Sequence, residues 1–284
     1  GTGSILNLAS YYYSASNFNN QGALTLGGTT HTLGNTNPDP LYAFTFSNTG
    51  TLNLNAGTLN LNVDGTTAAL ATALTPTTRY TRAAGTTLNY GGKLDNTAAT
   101  LDIGSAGIFG VGGLNNLTGT ILGGTLVSND GRVFTSSSGK LDGVTIGSNL
   151  TWNGVTSIYG DLLLTDGITV TRDATYLYFY PAAAAGAQQI GIAGVATLGS
   201  TLSGGYWYTG YTNTETLTLG TGLTVKNTDI TQSSVTTLVN NGTLLYDVAG
   251  TYTINPATFT NNGTLNVTAG TLNIESTNTT NSAT

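Results

Sequence analysis

The chain lacks cysteine and methionine and carries little charge. Only 7% of its 284 residues are charged, against about 25% in an ordinary soluble domain. The absence of cysteine excludes disulfide bonds and thiolate metal sites. The seven Lys and Arg residues are spread along a chain of net charge −6. They form no basic cluster, so we expect no nucleic-acid partner.

Long apolar runs and histidines are scarce as well. No run approaches the ~20 apolar residues of a membrane-spanning helix, so we expect no membrane span. The single histidine, His31, is flanked by threonines in TTHTL (29–33), and this setting predicts that it faces outward. A lone histidine neither builds a zinc site nor acts as a general base without a positioned partner. We therefore expect no catalytic residue, no metal and no cofactor.

What the chain does contain is an uncharged, Thr- and Asn-rich repeat. FSNTGTLNLNAGTLNL (46–61) returns as FTNNGTLNVTAGTLNI (259–274), with 11 of 16 positions identical. Weaker echoes lie at 18–28, 117–127 and 238–246. Internal repetition of this kind is typical of proteins built from stacked structural units.

The pattern inside the repeat predicts short β-strands. In residues 51–65 a Leu or Val alternates with Asn, and Gly57 and Gly65 interrupt the alternation. A period of two places the aliphatic side chains on one face of a strand. A corner every six to eight residues suits a β-helix better than a sandwich, whose turns come about every 8–12 residues. We predict an all-β, right-handed parallel β-helix (a solenoid) with about a dozen coils of roughly 20–25 residues.

This pattern resembles a known class of repeats. The unit GTLN-[LV]-x-AGTLN-[LI] and the run KLDGVTIGSNLTWNGVTSIYGDLLLTDGITV (140–170) look like secreted bacterial right-handed β-helix repeats. The nearest types are the filamentous-haemagglutinin and autotransporter-passenger adhesins. The resemblance covers most of the chain, but unrelated surface proteins share such repeats. It implies export, a rod shape and a role at the cell surface, and it implies no catalytic residues.

Two stretches break the strand rhythm. The Ala-rich segment within 66–87 predicts a short helix or a protruding loop, and Pro181 with four alanines interrupts strand character within 176–194. We predict that both are lateral loop insertions on one β-helix domain spanning residues 1–284.

Strand-like repeats run close to both termini, and the chain starts at Gly1. We therefore expect either a segment of a longer repetitive chain or copies that stack end to end.

The aromatic residues are the leading candidates for an interaction surface. They fall into three groups: three consecutive tyrosines, three tyrosines alternating with Leu177 and Phe179, and a group that follows Gly204 and Gly205. Exposed Tyr and Trp offer a flat apolar face and a polar tip, which suits contacts with sugars or proteins. The alternative is that they pack locally against the rod. The candidates are Tyr11, Tyr12, Tyr13, Tyr176, Tyr178, Tyr180, Tyr206, Trp207, Tyr208 and Tyr211.

The carboxylates give a weaker hint of enzymatic activity. Asp161, Asp166 and Asp173 lie close in sequence, and residues 227–229 match the opening NTD motif of polygalacturonases. Glycoside hydrolysis needs two carboxylates at a defined separation. The companion motifs of that family are absent, so we expect these acids to cap turns. Clustering of the three acids on one face would favour an enzyme.

Threonine pairs suggest a third class of function. Ice-binding solenoids display rows of Thr-x-Thr on a flat face, and this form occurs at 169–171, 216–218 and 251–253. These three pairs do not recur at a constant coil spacing, which argues against ice binding.

The leading prediction is an extracellular structural or adhesive β-solenoid at a bacterial cell surface. Its expected partners are other copies of itself or a cell-surface protein or glycan. The alternative is a glycan-active β-helix hydrolase or lyase.

Overall fold

The computed structural model of this chain describes residues 7–8, 15–35, 43–74, 78–172, 176–180, 187–193, 200–209, 215–232 and 236–282. The chain divides into two compact units, 1–140 and 141–284. In both units short strands stack in parallel on strands of the preceding and following turns, so the fold is the predicted parallel β-helix. No helix among the described residues is long and apolar enough to cross a membrane.

The described part of unit 1 contains one helix and a series of short strands. The strands are β1 (Asn7–Leu8), β2 (Ser16–Asn20), β3 (Ala23–Leu26), β4 (Thr30–Gly34), β5 (Phe44–Asn48), β6 (Thr51–Leu54), β7 (Thr58–Asn62), β8 (Gly65–Thr66), β9 (Tyr80–Arg82), β10 (Thr87–Tyr90), β11 (Lys93–Asp95), β12 (Thr100–Asp102), β13 (Asn116–Leu117), β14 (Thr120–Leu122), β15 (Thr125–Val127) and β16 (Phe134–Ile146), which runs across the unit boundary. The longest column of paired strands is β1–β4–β7–β10–β13–β16.

Unit 2 is arranged as three columns. Its strands are β17 (Leu150–Thr165), β18 (Thr169–Arg172), β19 (Tyr176–Tyr180), β20 (Ala187–Ala193), β21 (Ser200–Ser203), β22 (Tyr206–Thr209), β23 (Glu215–Leu219), β24 (Leu223–Lys226), β25 (Asp229–Gln232), β26 (Thr236–Asn240), β27 (Thr243–Tyr246), β28 (Thr251–Ile254), β29 (Thr258–Asn261), β30 (Thr264–Val267), β31 (Thr271–Ile274) and β32 (Asn278–Asn281).

The long strand β17 pairs with the first strand of all three columns. The first column continues through β20, β23, β26, β29 and β32. The second continues through β18, β21, β24, β27 and β30. The third continues through β19, β22, β25, β28 and β31. Each column therefore has six levels, as does the longest column of unit 1, in agreement with the predicted dozen coils.

Each copy of the long repeat forms one complete turn of the helix. Residues 46–61 supply most of β5, all of β6 and most of β7, while 259–274 supply most of β29 and all of β30 and β31. Gly57 and Gly270 occupy the same position in the two copies, and both have φ of +77°. A Cβ at either position would collide with a backbone oxygen of the preceding turn. Glycine is needed there both for its backbone conformation and for the close approach of two turns.

Burial alternates along the strands as the period of two predicts. In β7 the inward Leu59 and Leu61 are fully buried, while Thr58 and Asn60 face outward and are half-buried. His31 contradicts its predicted outward orientation. It lies beside Leu59 in register and is only 3% exposed. In β4 the flanking threonines take the outward positions, so the alternation turns the imidazole inward.

The first predicted insertion contains a helix, and the second prediction is wrong over most of its length. Helix α1 (Thr67–Ala73) follows β8, and its buried residues Thr67, Leu70 and Ala73 face the unit. In the segment 176–194, however, β19 and β20 both pair in parallel with β17 and continue the columns. The alternating Tyr176–Tyr180 segment buries Leu177 and Phe179 as an ordinary strand does. Residues 181–186 and 194 lie outside the described residues.

Candidate tyrosine interface

The candidate site lies on the outer surface of the third column of unit 2. In β19 the inward residues Leu177 and Phe179 are fully buried, which turns the alternating tyrosines of that strand outward. β22 lies beside it in register, with Tyr206 next to Tyr176 and Tyr208 next to Tyr178. Two strands of alternating sequence thus bring four tyrosines together on one face.

The four rings pack against one another. The Tyr178 and Tyr208 rings are stacked, with centroids 5.1 Å apart and planes 14° apart. Tyr176 lies 5.6 Å from Tyr206 and 5.5 Å from Tyr208, centroid to centroid, in tilted arrangements. These separations fall in the range of favourable aromatic pairs, so the rings fix one another's orientation. We call Tyr176, Tyr178, Tyr206 and Tyr208 the tyrosine face.

A second stack extends the aromatic surface toward β17. Tyr159 and Tyr180 are in register on neighbouring strands, and their rings stack with centroids 4.9 Å apart and planes 9° apart. Tyr159 is not among the residues that the sequence predicts for this surface. Its alternation with the buried Ile158 indicates an outward side chain, but only the register of β17 and β19 places it beside Tyr180.

The tyrosine face is accessible to a partner. Tyr176 is 38% exposed and Tyr206 is 42% exposed, whereas Tyr178 and Tyr208 are half-buried. No hydrogen bond joins the hydroxyl of any of the four to another described residue, which leaves these groups available for hydrogen bonds to a partner or to water. Desolvation and the neighbouring tyrosines raise the pKa of Tyr208, so its hydroxyl remains a hydrogen-bond donor at neutral pH.

One carboxylate borders the tyrosine face. Asp229 on β25 lies beside Tyr206 in register, and Thr231 lies beside Tyr208. The Asp229 Oδ1 accepts a hydrogen bond of 2.7 Å from the backbone N–H of Thr253. Burial raises the pKa of Asp229 more than this hydrogen bond lowers it. The tyrosine face is therefore bordered on β25 by a partly buried acid, Asp229, and by Thr231.

Trp207 does not belong to this surface, contrary to the sequence-based candidate list. It is fully buried, and it lies in register between Leu177 and Ile230. Its ring centroid is 5.4 Å from that of Phe179. Because Tyr206 and Tyr208 face outward, alternation along β22 turns the residue between them into the core. Tyr11, Tyr12, Tyr13 and Tyr211 lie outside the described residues.

The aspartates considered as candidate catalytic acids have structural partners where the structure describes them. Asp161 Oδ1 accepts a hydrogen bond of 2.9 Å from the backbone N–H of Gln189 on the next turn. Asp166 is half-buried, and Asp173 lies outside the described residues. The described part of the chain contains no group of three or more His, Cys, Asp or Glu residues that could hold a metal ion.

The NTD tripeptide at 227–229 is likewise part of the scaffold. Asn227 has a positive φ of 49°, and its side-chain oxygen accepts the backbone N–H of Asp247 on the next turn at 3.0 Å. Thr228 is fully buried and donates its hydroxyl to the carbonyl oxygen of Lys226 at 2.8 Å. Two of the three residues therefore shape a corner between strands.

Comparison with known proteins adds no further identification. No protein-family model matches the chain, and no significant match was found among curated proteins or solved structures.

Proposed function

We propose that this chain is an extracellular structural and adhesive β-solenoid of the adhesin type, without catalytic activity, that makes contacts through its tyrosine face. The observation that carries the proposal is the set of four partly exposed tyrosine rings packed together on two paired strands. The backbone ladder and the buried Leu177, Phe179 and Trp207 beneath hold this surface rigid. A rigid aromatic surface loses little conformational entropy when a partner binds.

The sparse charge of the chain supports a structural role. Asp161 and Asp229 each accept a hydrogen bond from a backbone N–H of the next turn. Such partners favour a scaffold over a glycan-active enzyme, whose two acids must be free to exchange protons with a substrate. Uncharged Thr and Asn side chains keep the outer faces hydrated while adding few groups whose charge changes with pH.

Self-association belongs to the same proposal. The partly exposed rings of Tyr176 and Tyr206 offer a contact surface to another copy of the chain, or to a cell-surface protein or glycan.

Adhesion of coated particles tests the proposed role of the tyrosine face. Beads carrying the chain should bind to one another and to bacterial cells. The double variant Tyr176→Ser/Tyr206→Ser removes the two most exposed rings and should reduce bead attachment several-fold. The matched control Val248→Ser removes an apolar side chain that is 54% exposed elsewhere in unit 2, and it should leave attachment unchanged. Equal attachment of the tyrosine variant and the wild type would refute the proposed contact.

A further inference from the structure

The first column of unit 2 carries a regular two-row array of threonines. β23, β26, β29 and β32 pair in register, so their outward residues form one row through 216, 237, 258 and 278 and a second row through 218, 239, 260 and 280. Six of these eight positions are threonine, and the exceptions are Val239 and Asn278. We call the eight positions the threonine array.

The array is recognised from the register of the stacked strands. The individual Thr-x-Thr pairs in the sequence do not identify it. The three pairs considered from sequence belong to β18, β23 and β28, which lie in three different columns. The pair in β23 instead stacks on residues 237 and 239, then on 258 and 260. The buried Asn240 and Asn261 hydrogen-bond to each other. They are 21 residues apart, which is the length of one turn in this part of the column. Within this column the paired positions are 21, 21 and 20 residues apart, which is a nearly constant spacing.

The array is exposed, uncharged and rigidly supported. All eight side chains are half-exposed or exposed, and none is charged. Directly beneath them, Leu217, Leu238 and Phe259 are buried in the core. Threonine is branched at Cβ and therefore stiff at χ1, so its hydroxyl and methyl groups hold regular positions on a strand.

The hydroxyl groups of the array have no hydrogen-bond partner within the described part of the chain. No hydrogen bond joins the hydroxyl of Thr216, Thr218, Thr237, Thr258, Thr260 or Thr280 to another residue that the structure describes. The outer rows of unit 1 differ in this respect. There Asn53 accepts a hydrogen bond from the Thr81 hydroxyl at 2.6 Å and donates to Thr25 at 3.4 Å, so those rows are partly satisfied internally.

The other columns of unit 2 differ from this two-row array. In the second column one row of positions is threonine throughout, at 169, 201, 224, 243 and 264. Its other row contains Lys226 and Leu245, which are in register on β24 and β27. The third column carries the tyrosine face and Asp229. A charge or a large side chain interrupts a flat polar lattice, so among the described parts of these columns only the threonine array has two uncharged rows side by side.

We propose that the threonine array binds ice. Neighbouring strands are about 4.8 Å apart, and alternate residues along a strand are about 6.7 Å apart. This rectangular repeat is close to that of water oxygens on a prism face of hexagonal ice. Each threonine hydroxyl bonds one water of the lattice, while its methyl group occupies the space between waters. Waters held at regular sites by fixed groups lose less entropy on joining the crystal than mobile surface waters do.

Thermal hysteresis of the full chain, measured by nanolitre osmometry, tests this proposal. The wild type should open a gap between the melting and growth temperatures of ice and should produce faceted crystals. Thr258→Tyr places a large ring near the centre of the array and should reduce the gap at least threefold. Val239→Thr supplies a missing hydroxyl and should enlarge the gap, so an unchanged or smaller gap for this variant counts against the proposal.

Two controls distinguish the array from general surface effects. Thr243→Tyr changes a half-exposed threonine on β27, in the neighbouring column, and should retain the wild-type gap. The tyrosine-face variant Tyr176→Ser/Tyr206→Ser should retain it as well, so this test is independent of adhesion. Circular dichroism establishes that each variant is folded, and Thr258→Ser, which keeps the hydroxyl and loses the methyl, should show an intermediate gap. Absence of a gap in the wild type, or an equal loss with Thr243→Tyr, would overturn the proposal.

Discussion

At the scale of single residues, buried asparagines link one turn of the solenoid to the next. The Asn240 amide donates to the Asn261 side-chain oxygen at 2.7 Å, and the Asn261 amide donates to Asn281 at 2.9 Å. Asn20 and Asn48 form the same contact in unit 1 at 2.9 Å. An amide can donate to one neighbour and accept from the other, so it suits an interior ladder. A shift of one residue in register would leave these amides unpaired, which costs free energy.

Replacing one amide of this ladder with a carboxyl group tests its contribution. Asn261 is 3% exposed, so burial should raise the pKa of the carboxyl in Asn261→Asp above its unfolded value of about 3.9. The carboxylate cannot donate to Asn281. We expect the free energy of unfolding to fall by about 1–3 kcal/mol at pH 7. The protonated carboxyl can donate, so the loss should be smallest below pH 4 and should grow as pH rises through the folded pKa.

Urea denaturation at pH 7 and pH 3.5 measures this difference. The control Asn262→Asp changes the next residue, which is exposed and hydrogen-bonds to Asn241 at 3.0 Å on the surface. We expect a small effect at both pH values, because solvent stabilises its carboxylate. If Asn261→Asp were no more destabilising than Asn262→Asp at pH 7, the interior ladder would not contribute to stability.

At the scale of elements, the repeated sequence determines where strands and corners form more strongly than it determines which strands lie next to one another. Inward Leu52, Leu54, Leu59 and Leu61 are all fully buried, as their period of two predicts. The length of a turn varies, however, from 19 residues between the paired Leu117 and Ser136 to 32 between Thr169 and Thr201. Because of this variation, sequence spacing alone does not identify which strands stack.

Local sequence context does not determine which way a side chain points. Trp207 is adjacent to Tyr206 and Tyr208 in sequence, but alternation along β22 places it on the opposite face. The threonines beside His31 predict exposure, whereas they occupy the outward positions of β4 and turn the histidine inward. The contact between Tyr159 and Tyr180 and the threonine array both depend on register, which forms only when the turns stack.

The helix α1 offers a test of a single element. The Thr66 side chain accepts a hydrogen bond of 3.1 Å from the backbone N–H of Ala69 at the start of the helix. Thr66→Ala removes this cap and should lower the free energy of unfolding of unit 1 by about 1 kcal/mol. Thr72→Ala is the matched control. Its exposed hydroxyl bonds to the Ala68 carbonyl at 3.0 Å, and alanine has the higher helix propensity, so we expect no loss.

Urea denaturation and hydrogen exchange of the helix amides distinguish these variants. Thr66→Ala should accelerate exchange at the first turn, where the Ala69 N–H loses its acceptor. Equal stability of the two variants would show that the helix contributes nothing beyond its packing through Leu70, which is 4% exposed.

At the scale of the whole molecule, the scarcity of charge limits the effect of pH. Hydrogen bonds from Thr97 lower the pKa of Asp95, and the backbone N–H of Ser105 lowers that of Asp130. A side-chain hydrogen bond from Lys226 lowers the pKa of Asp247, whose carboxylate lies 2.7 Å from the Lys226 ammonium group. Asp130 and Asp247 are exposed and Asp95 is half-buried at the surface, so solvent screening keeps each contribution small.

The directions of these shifts predict how stability depends on pH. A carboxyl whose folded pKa is lowered stabilises the fold above its unfolded value, and this stabilisation is lost as pH falls through the folded pKa. Asp229 acts in the opposite direction, because burial raises its pKa. We therefore expect nearly constant stability from pH 7 to pH 5 and a decline below pH 4, where Asp95, Asp130 and Asp247 take up protons. Urea unfolding at pH 7, 5 and 3 measures this, and a sharp loss of structure between pH 7 and pH 4 would contradict it.

The variant Asp229→Asn isolates the contribution of the acid whose pKa is raised from that of the acids whose pKa values are lowered. An uncharged amide keeps an oxygen for the Thr253 N–H and avoids the cost of burying a carboxylate, so the variant should be more stable than the wild type at pH 7. At pH 3, below the ordinary pKa of 3.8, the wild-type carboxyl is protonated in both states and the advantage should disappear. An advantage of equal size at both pH values would mean that the substitution acts through packing and not through the charge of Asp229.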